Sequence, residues 1–150
     1  MSMTRSRGTT ISIGTTASVA SSDTYTLIEG ARAIDGMGGI TWSQIDGTIL
    51  TDTYKKTMKG VADAGVMNIG GPRDSTTGAL SAGLAALKAA AEDDSDPDDY
   101  NFKIVLASGR LRYVRARVFS FTEQIGNNTN LLEWRASLML QAAPTEAAPA

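Results

Sequence analysis

The chain has no cysteine and no histidine among its 150 residues. The first absence removes disulfides, thiolate metal ligands and cysteine nucleophiles. The second removes the commonest general base, the Ser-His-Asp triad and most zinc and iron sites. Any reaction would have to run on carboxylates, Lys, Tyr, Ser or Thr, so no enzyme, catalytic residue, metal site or cofactor is expected. No apolar run approaches the ~18 residues of a membrane span, and stretches such as 104–107 are only strand-sized, so no membrane insertion is expected. Arg5 and Arg7 are followed by Ser, Thr and Gly instead of an apolar stretch, which does not read as a secretory signal. A cytoplasmic origin is the expectation. The net charge of −2 is too small to imply a bulk binder of nucleic acid or membrane. No phosphate-binding loop occurs, and Gly36, Gly38 and Gly39 do not complete a dinucleotide fingerprint.

What the chain has is Ser and Thr, 30 together, with 15 glycines against nine aromatics. That balance favours short strands joined by small-residue turns. Residues 1–8 read as a flexible arm, 9–142 as one domain and 143–150, made of Ala, Pro, Thr and Glu, as a disordered tail. Strands are expected at 9–13, at 25–34 and, across the turn Asp35-Gly36-Met37-Gly38-Gly39, at 40–42 as the return of a hairpin. Residues 44–60 mix apolar and Thr positions without one period and read as a long, partly extended excursion. Another strand is expected at 61–69. A single helix, about 77–92, follows Gly70-Gly71-Pro72-Arg73-Asp74, with Ser75, Thr76 and Thr77 as N-cap candidates. Leu80, Leu84, Leu87 and Ala91 form its apolar stripe, and Pro97 prevents continuation. Three strands close the chain. Phe102, Ile104 and Leu106 alternate, Ser108-Gly109 turns, and Val114, Ala116 and Val118 share a face. Phe119 and Phe121 then fall on the wrong parity, which predicts a bulge near Val118. Leu132, Trp134, Ala136, Leu138 and Leu140 alternate best of all. The order predicts an α+β, mainly β fold: an antiparallel sandwich or barrel with one flanking helix.

Two charge runs stand out. Asp94, Asp96 and Asp98 have the first spacings of a calcium loop, but Asp99 stands where its glycine belongs and Val105 where its glutamate belongs. The run therefore reads as a solvated helix-to-strand connection. Lys103, Arg110, Arg112, Arg115 and Arg117 form a basic run without the interleaved aromatics of a nucleic-acid platform. Pairing with acids, within the subunit or on a neighbour, is the better reading, and Asp94, Asp96 and Asp98 are the nearest candidates.

The segment Tyr25-Thr-Leu-Ile-Glu-Gly, the turn at 35–39, the run Ile45-Asp-Gly-Thr-Ile-Leu-Thr-Asp52 and the element Lys59-Gly-Val-Ala-Asp-Ala-Gly65 precede an alanine-rich helix and closing strands. In that order they resemble the tail tube proteins of lambda-type, long-tailed, non-contractile bacteriophages, over roughly 9–141. The resemblance implies hexameric rings with a continuous inner β-barrel, stacked into a tube. It implies a tape-measure protein inside, tail-tip and tail-terminator partners at the ends, and passage of double-stranded DNA. The protein would be part of the virion, assembled in the host cytoplasm. By the same analogy, ring stacking falls to the excursion, through Asp46, Thr48, Leu50, Asp52, Tyr54, Lys55, Lys56 and Lys59, and to the arm with Arg5 and Arg7. The arginines at 110, 112, 115 and 117 would pair with Asp94, Asp96 and Asp98 between subunits. A conduit must hold DNA loosely, and a basic wall would grip it; Glu29, Glu123 and Glu133 are accordingly the lumen candidates. Other ring-forming relatives (a tail terminator, a baseplate hub, a type VI secretion tube) and a small β-sandwich binding module are the alternatives.

Overall fold

A computed structural model describes residues 8–29, 31, 33–36, 39–72, 81–95, 97–125 and 132–148. It is mainly β, antiparallel, with one α-helix, as expected. The strands are β1 (Thr10–Ile13), β2 (Thr26–Leu27), β3 (Ala33–Asp35), β4 (Thr41–Asp46), β5 (Thr57–Asp63), β6 (Val66–Pro72), β7 (Asp99–Val105), β8 (Leu111–Ile125), β9 (Leu132–Leu140) and β10 (Thr145–Ala147); the helix is α1 (Ala82–Glu92). Eight strands form one sheet in the order β2-β1-β7-β8-β9-β6-β3, with β10 beside β8, and β4 and β5 form a separate pair. One face of the sheet closes on α1, and both ends of the sheet contribute to a single core.

The three C-terminal strands follow their alternation. Phe102 and Ile104 of β7, Val114 and Ala116 of β8, and Trp134, Ala136, Leu138 and Leu140 of β9 all point into the core. The expected bulge is present: Val118 lies opposite Leu138 but Ser120 lies opposite Ser137. The extra residue leaves Phe119 exposed and turns Phe121 back to the core face opposite Ala136, where its ring stacks on Trp134 at 6.2 Å. Gly109 makes the β7–β8 turn at φ +90°, a conformation side-chain-bearing residues avoid.

Elsewhere the pairing differs from expectation. Only two residues of 25–34 pair with β1, because Ile28 turns inward, 2% exposed, with its N–H donating to the Ile11 carbonyl at 3.0 Å. Among the described residues, no hairpin pairs β3 with β4 across the glycine-rich turn. Instead β3 pairs with β6, placing Ile34 opposite Ile69 at the core, and β4 pairs with β5. The expected strand at 61–69 is divided at Gly65: β5 ends at Asp63 in one sheet and β6 starts at Val66 in the other.

The helix begins at Ala82, later than expected, because Ser81 is extended (ψ 160°) and serves as the N-cap. The cap candidates at 75–77 and Leu80 lie outside the described residues. Leu84, Leu87 and Ala90 form the buried stripe. Gly83 lets the helix meet backbone directly: a Cβ there would fall on the Leu27 carbonyl oxygen and 2.7 Å from the Ile28 Cα. The stretch 143–150, expected to be disordered, carries β10, whose Thr145, Glu146 and Ala147 pair with Tyr113, Arg112 and Leu111. It covers donors and acceptors of β8 that β9 leaves behind, an edge that would otherwise be open.

Candidate subunit interface

The pair β4–β5 is a projecting arm. Its central ladder matches Ile45 with Met58 and Gln44 with Lys59, with an irregularity at Ser43, whose Oγ accepts the Val61 N–H at 2.8 Å. Gly60 is required opposite it, since a Cβ would strike the Ser43 hydroxyl and approach Ile45 at 3.3 Å. The tip is held by contacts within the chain. Thr48 donates its N–H to Asp46 Oδ1 at 2.9 Å, and its Oγ1 accepts the Lys56 N–H at 2.9 Å. Ile49 N–H donates to Asp52 Oδ2 at 2.9 Å, and Asp52 also holds Lys56 at 3.2 Å. The Thr48 contacts hold the Asp46 carboxyl below its usual range.

Almost nothing on this arm is buried. Leu50, Tyr54 and Val61 keep more than four-fifths of their surface in solvent, and Trp42, Ile45, Ile49 and Met58 are also exposed. Lys59 Nζ lies 5.5 Å from the centre of the Trp42 ring. A two-stranded ribbon is marginal alone in water, and a patch of large apolar side chains marks an association surface. Of the expected stacking residues, Leu50, Tyr54, Lys55, Lys56 and Lys59 are presented outward, while Asp46, Thr48 and Asp52 shape the tip. Sequence reading missed Trp42, Ile45, Met58 and Val61. The available signal was apolar side chains recurring without the period of a core-facing strand. Arg5 and Arg7 lie outside the described residues.

The basic run pairs with acids inside the subunit, one of the two settings expected for it. Arg115 Nε donates to Asp99 at 2.7 Å, and its terminal nitrogens reach the carbonyls of Ala17 (2.6 Å) and Thr16 (3.1 Å) and the Asn101 Oδ1 (3.0 Å). Arg117 meets Asp98 at 2.9 Å. Glu146 meets Arg112 at 2.6 Å and Arg110 at 3.7 Å. The antiparallel register dictates this: Asp99 lies opposite Arg117, and Glu146 opposite Arg112. Hydrogen bonding to Arg115 brings Asp99 below the ordinary carboxylate range, and bonding to Arg112 does the same for Glu146. Asp94 is exposed and Asp96 lies outside the described residues.

These bonds clasp 14–25 onto the sheet. Asp23 accepts from the Thr15 N–H and Oγ1, both at 2.7 Å, from the Thr24 N–H at 2.8 Å and from Asn101 Nδ2 at 2.9 Å. Desolvation pushes the Asp23 carboxyl up, but the bonds from Asn101, Thr15 and Thr24 outweigh it and bring it down to about 2.

The three lumen candidates do not share a surface. Glu133 lies opposite Gln124, on the sheet face away from α1, whereas Glu123 lies opposite Trp134 on the other face. Glu29 sits in the turn after β2. Among the described residues, no three acids converge into a cation site.

The molecule is therefore an antiparallel β protein with one helix and an apolar arm suited to association. No family model and no curated protein matches the sequence. Solved structures do. A chain of the tail of an empty gene transfer agent particle, refined with six-fold helical symmetry, superposes with a TM-score of 0.69 at 13% identity, covering 97% of this chain and all of that one. A chain of the extended sheath/tube terminator of the PVC extracellular contractile injection system gives 0.70 at 13% identity, covering 99% of each. The SPP1 tail tube gives 0.66 at 11% identity, covering 97% of this chain and 80% of its own. At these identities the likeness is one of fold.

Proposed function

We propose that this is a structural tail-tube protein without catalytic activity, whose copies form six-membered rings that stack into a hollow tube. The observation that carries the reading is the β4–β5 arm, apolar and almost wholly exposed, on a fold shared with tail and tube chains. In this reading Leu50, Tyr54, Lys55, Lys56 and Lys59 contact the neighbouring ring. Asp46, Thr48 and Asp52 hold the tip in shape, and the arm bearing Arg5 and Arg7 joins the same contact. Four strands from each of six subunits, spaced ~4.8 Å apart, give a circumference near ~115 Å and a diameter of at least ~37 Å, wide enough for duplex DNA. The tube would enclose a tape-measure protein, end at tip and terminator proteins, and conduct the genome from a virion assembled in the bacterial cytoplasm. Motif order favours a lambda-type tail; similarity to chains from contractile injection systems makes a contractile tail the neighbouring case.

The test is negative-stain electron microscopy of the concentrated, purified protein. Hollow polymers with six-fold end views are expected. Single rings that never stack would favour a terminator, a reading supported by the likeness to the PVC terminator structure. Monomers at every concentration, with and without a tail-tip seed, would refute both.

A further inference from the structure

We infer that Asp35 is a site of spontaneous main-chain modification, where the subunit converts its own aspartate to a β-linked isoaspartate. The chemistry needs only the isolated subunit and holds whatever that subunit assembles into. Aspartate followed by glycine occurs twice in the chain, at Asp35-Gly36 and at Asp46-Gly47. A glycine has no Cβ, so its main-chain nitrogen reaches the preceding side chain with little crowding. In the first step that nitrogen bonds to the aspartate Cγ, and the carboxyl hydroxyl leaves as water with the N–H proton. The product is a five-membered succinimide. Water then adds to one of its two carbonyls. Opening at Cγ restores aspartate. Opening at the main-chain carbonyl carbon leaves the chain running through Cβ and Cγ, with the α-carboxylate as the new side group. The water lost is regained, so the mass does not change.

The fold treats the two sites differently. At Asp46 both reacting groups are occupied: the Gly47 N–H donates to the Lys56 carbonyl at 3.0 Å, and the carboxylate accepts the Thr48 N–H at 2.9 Å. The Thr48 contacts also hold this carboxyl below its usual range. It therefore stays ionised, whereas the hydroxyl that must leave belongs to the neutral acid. Asp35 is the last residue of β3, a three-residue strand at the edge of the sheet. It is exposed, and among the described residues no hydrogen bond or ion pair holds its carboxylate. Gly36 follows beyond the strand end at φ +74°. Short edge elements with few buried contacts open at little cost, so the strand end can turn into the geometry of attack. Asp35 also borders a groove of about 570 Å³ that brings water to the intermediate. The sheet cannot absorb the longer main chain that results. Gly36 lies so close to the Val66 carbonyl that even a Cβ would strike it, and Ile34 and Asp35 are in register with Ile69 and Asn68. An isoaspartyl subunit accordingly loses β3 from the sheet.

The wild-type chain supplies its own control. Trypsin cuts after Arg32 and Lys55, so both sites fall in one peptide, residues 33–55. Purified protein would be aged at 37 °C and mildly acidic pH, folded in one series and unfolded in urea in the other. Electron-transfer fragmentation of the peptide then locates isoaspartate at each position. In urea the two sites should react at comparable rates, as their shared dipeptide dictates. In the folded protein, isoaspartate should accumulate at Asp35 about tenfold faster than at Asp46, where two hydrogen bonds must first break. Equal rates at both positions in the folded protein would overturn the assignment. So would a folded chain that stays unmodified at Asp35 while the unfolded chain reacts, since β3 would then protect Asp35 as well as the arm protects Asp46.

Discussion

Asn101 is 1% exposed, and both polar atoms of its side chain are used: Nδ2 donates to Ala17 and Asp23, and Oδ1 accepts from Arg115. Asn101→Leu keeps the branched shape but removes the bonds to all three partners, and should cost about 1–3 kcal/mol in urea unfolding. Asp23 gives the same clasp a pH dependence. Its folded carboxyl is lowered from 3.8 to about 2, so its stabilisation is complete above 3.8 and is lost as the pH falls through about 2. Asp99, also lowered, acts in the same direction. Thermal melts between pH 5 and pH 2 should show a melting-temperature gap between wild type and Asp23→Asn that closes toward the acid end. At Gly83 two effects oppose each other. Alanine would gain about 0.8–1 kcal/mol of helix propensity, but its Cβ meets the Leu27 carbonyl. That neighbour is backbone and cannot swing away, so crowding of about 1–3 kcal/mol wins. Gly83→Ala should lower the urea midpoint.

At the scale of elements, the arm separates stability from assembly. Leu50 touches almost nothing in the subunit, so Leu50→Asp should change stability by less than about 0.5 kcal/mol. It should nevertheless abolish polymers under the electron microscope. The core strands of this fold were legible because their side chains alternate against one buried face, and even the β8 bulge showed as a break in parity at Phe119. The arm was less legible. Apolar residues such as Trp42 and Ile45 lie exposed and pack on no core face, so no period marks them. The β3–β6 pairing and β10 escaped for another reason: each depends on a partner far along the chain, and three-residue strands carry no pattern of their own. The arginines were legible as paired, and Asp98, one of the expected partners, does meet Arg117, but only the register revealed that Asp99 and Glu146 hold Arg115 and Arg112.

The whole molecule couples a closed core to an unsatisfied arm, and association should therefore add to its stability by mass action. The wild-type melting temperature should rise with protein concentration, whereas that of Leu50→Asp should stay fixed; scanning calorimetry across a hundredfold range distinguishes the two.

The sheet also imposes an order on the chain's birth. Thr10 pairs with Val105, and Val66 with Met139, so neither β1 nor β6 can find its main partner until most of the polypeptide has left the ribosome. The β4–β5 ribbon, whose contacts are local, can form while the rest is still being made. In the tube reading, the part of the molecule that stacks is thus ready before the body that carries it.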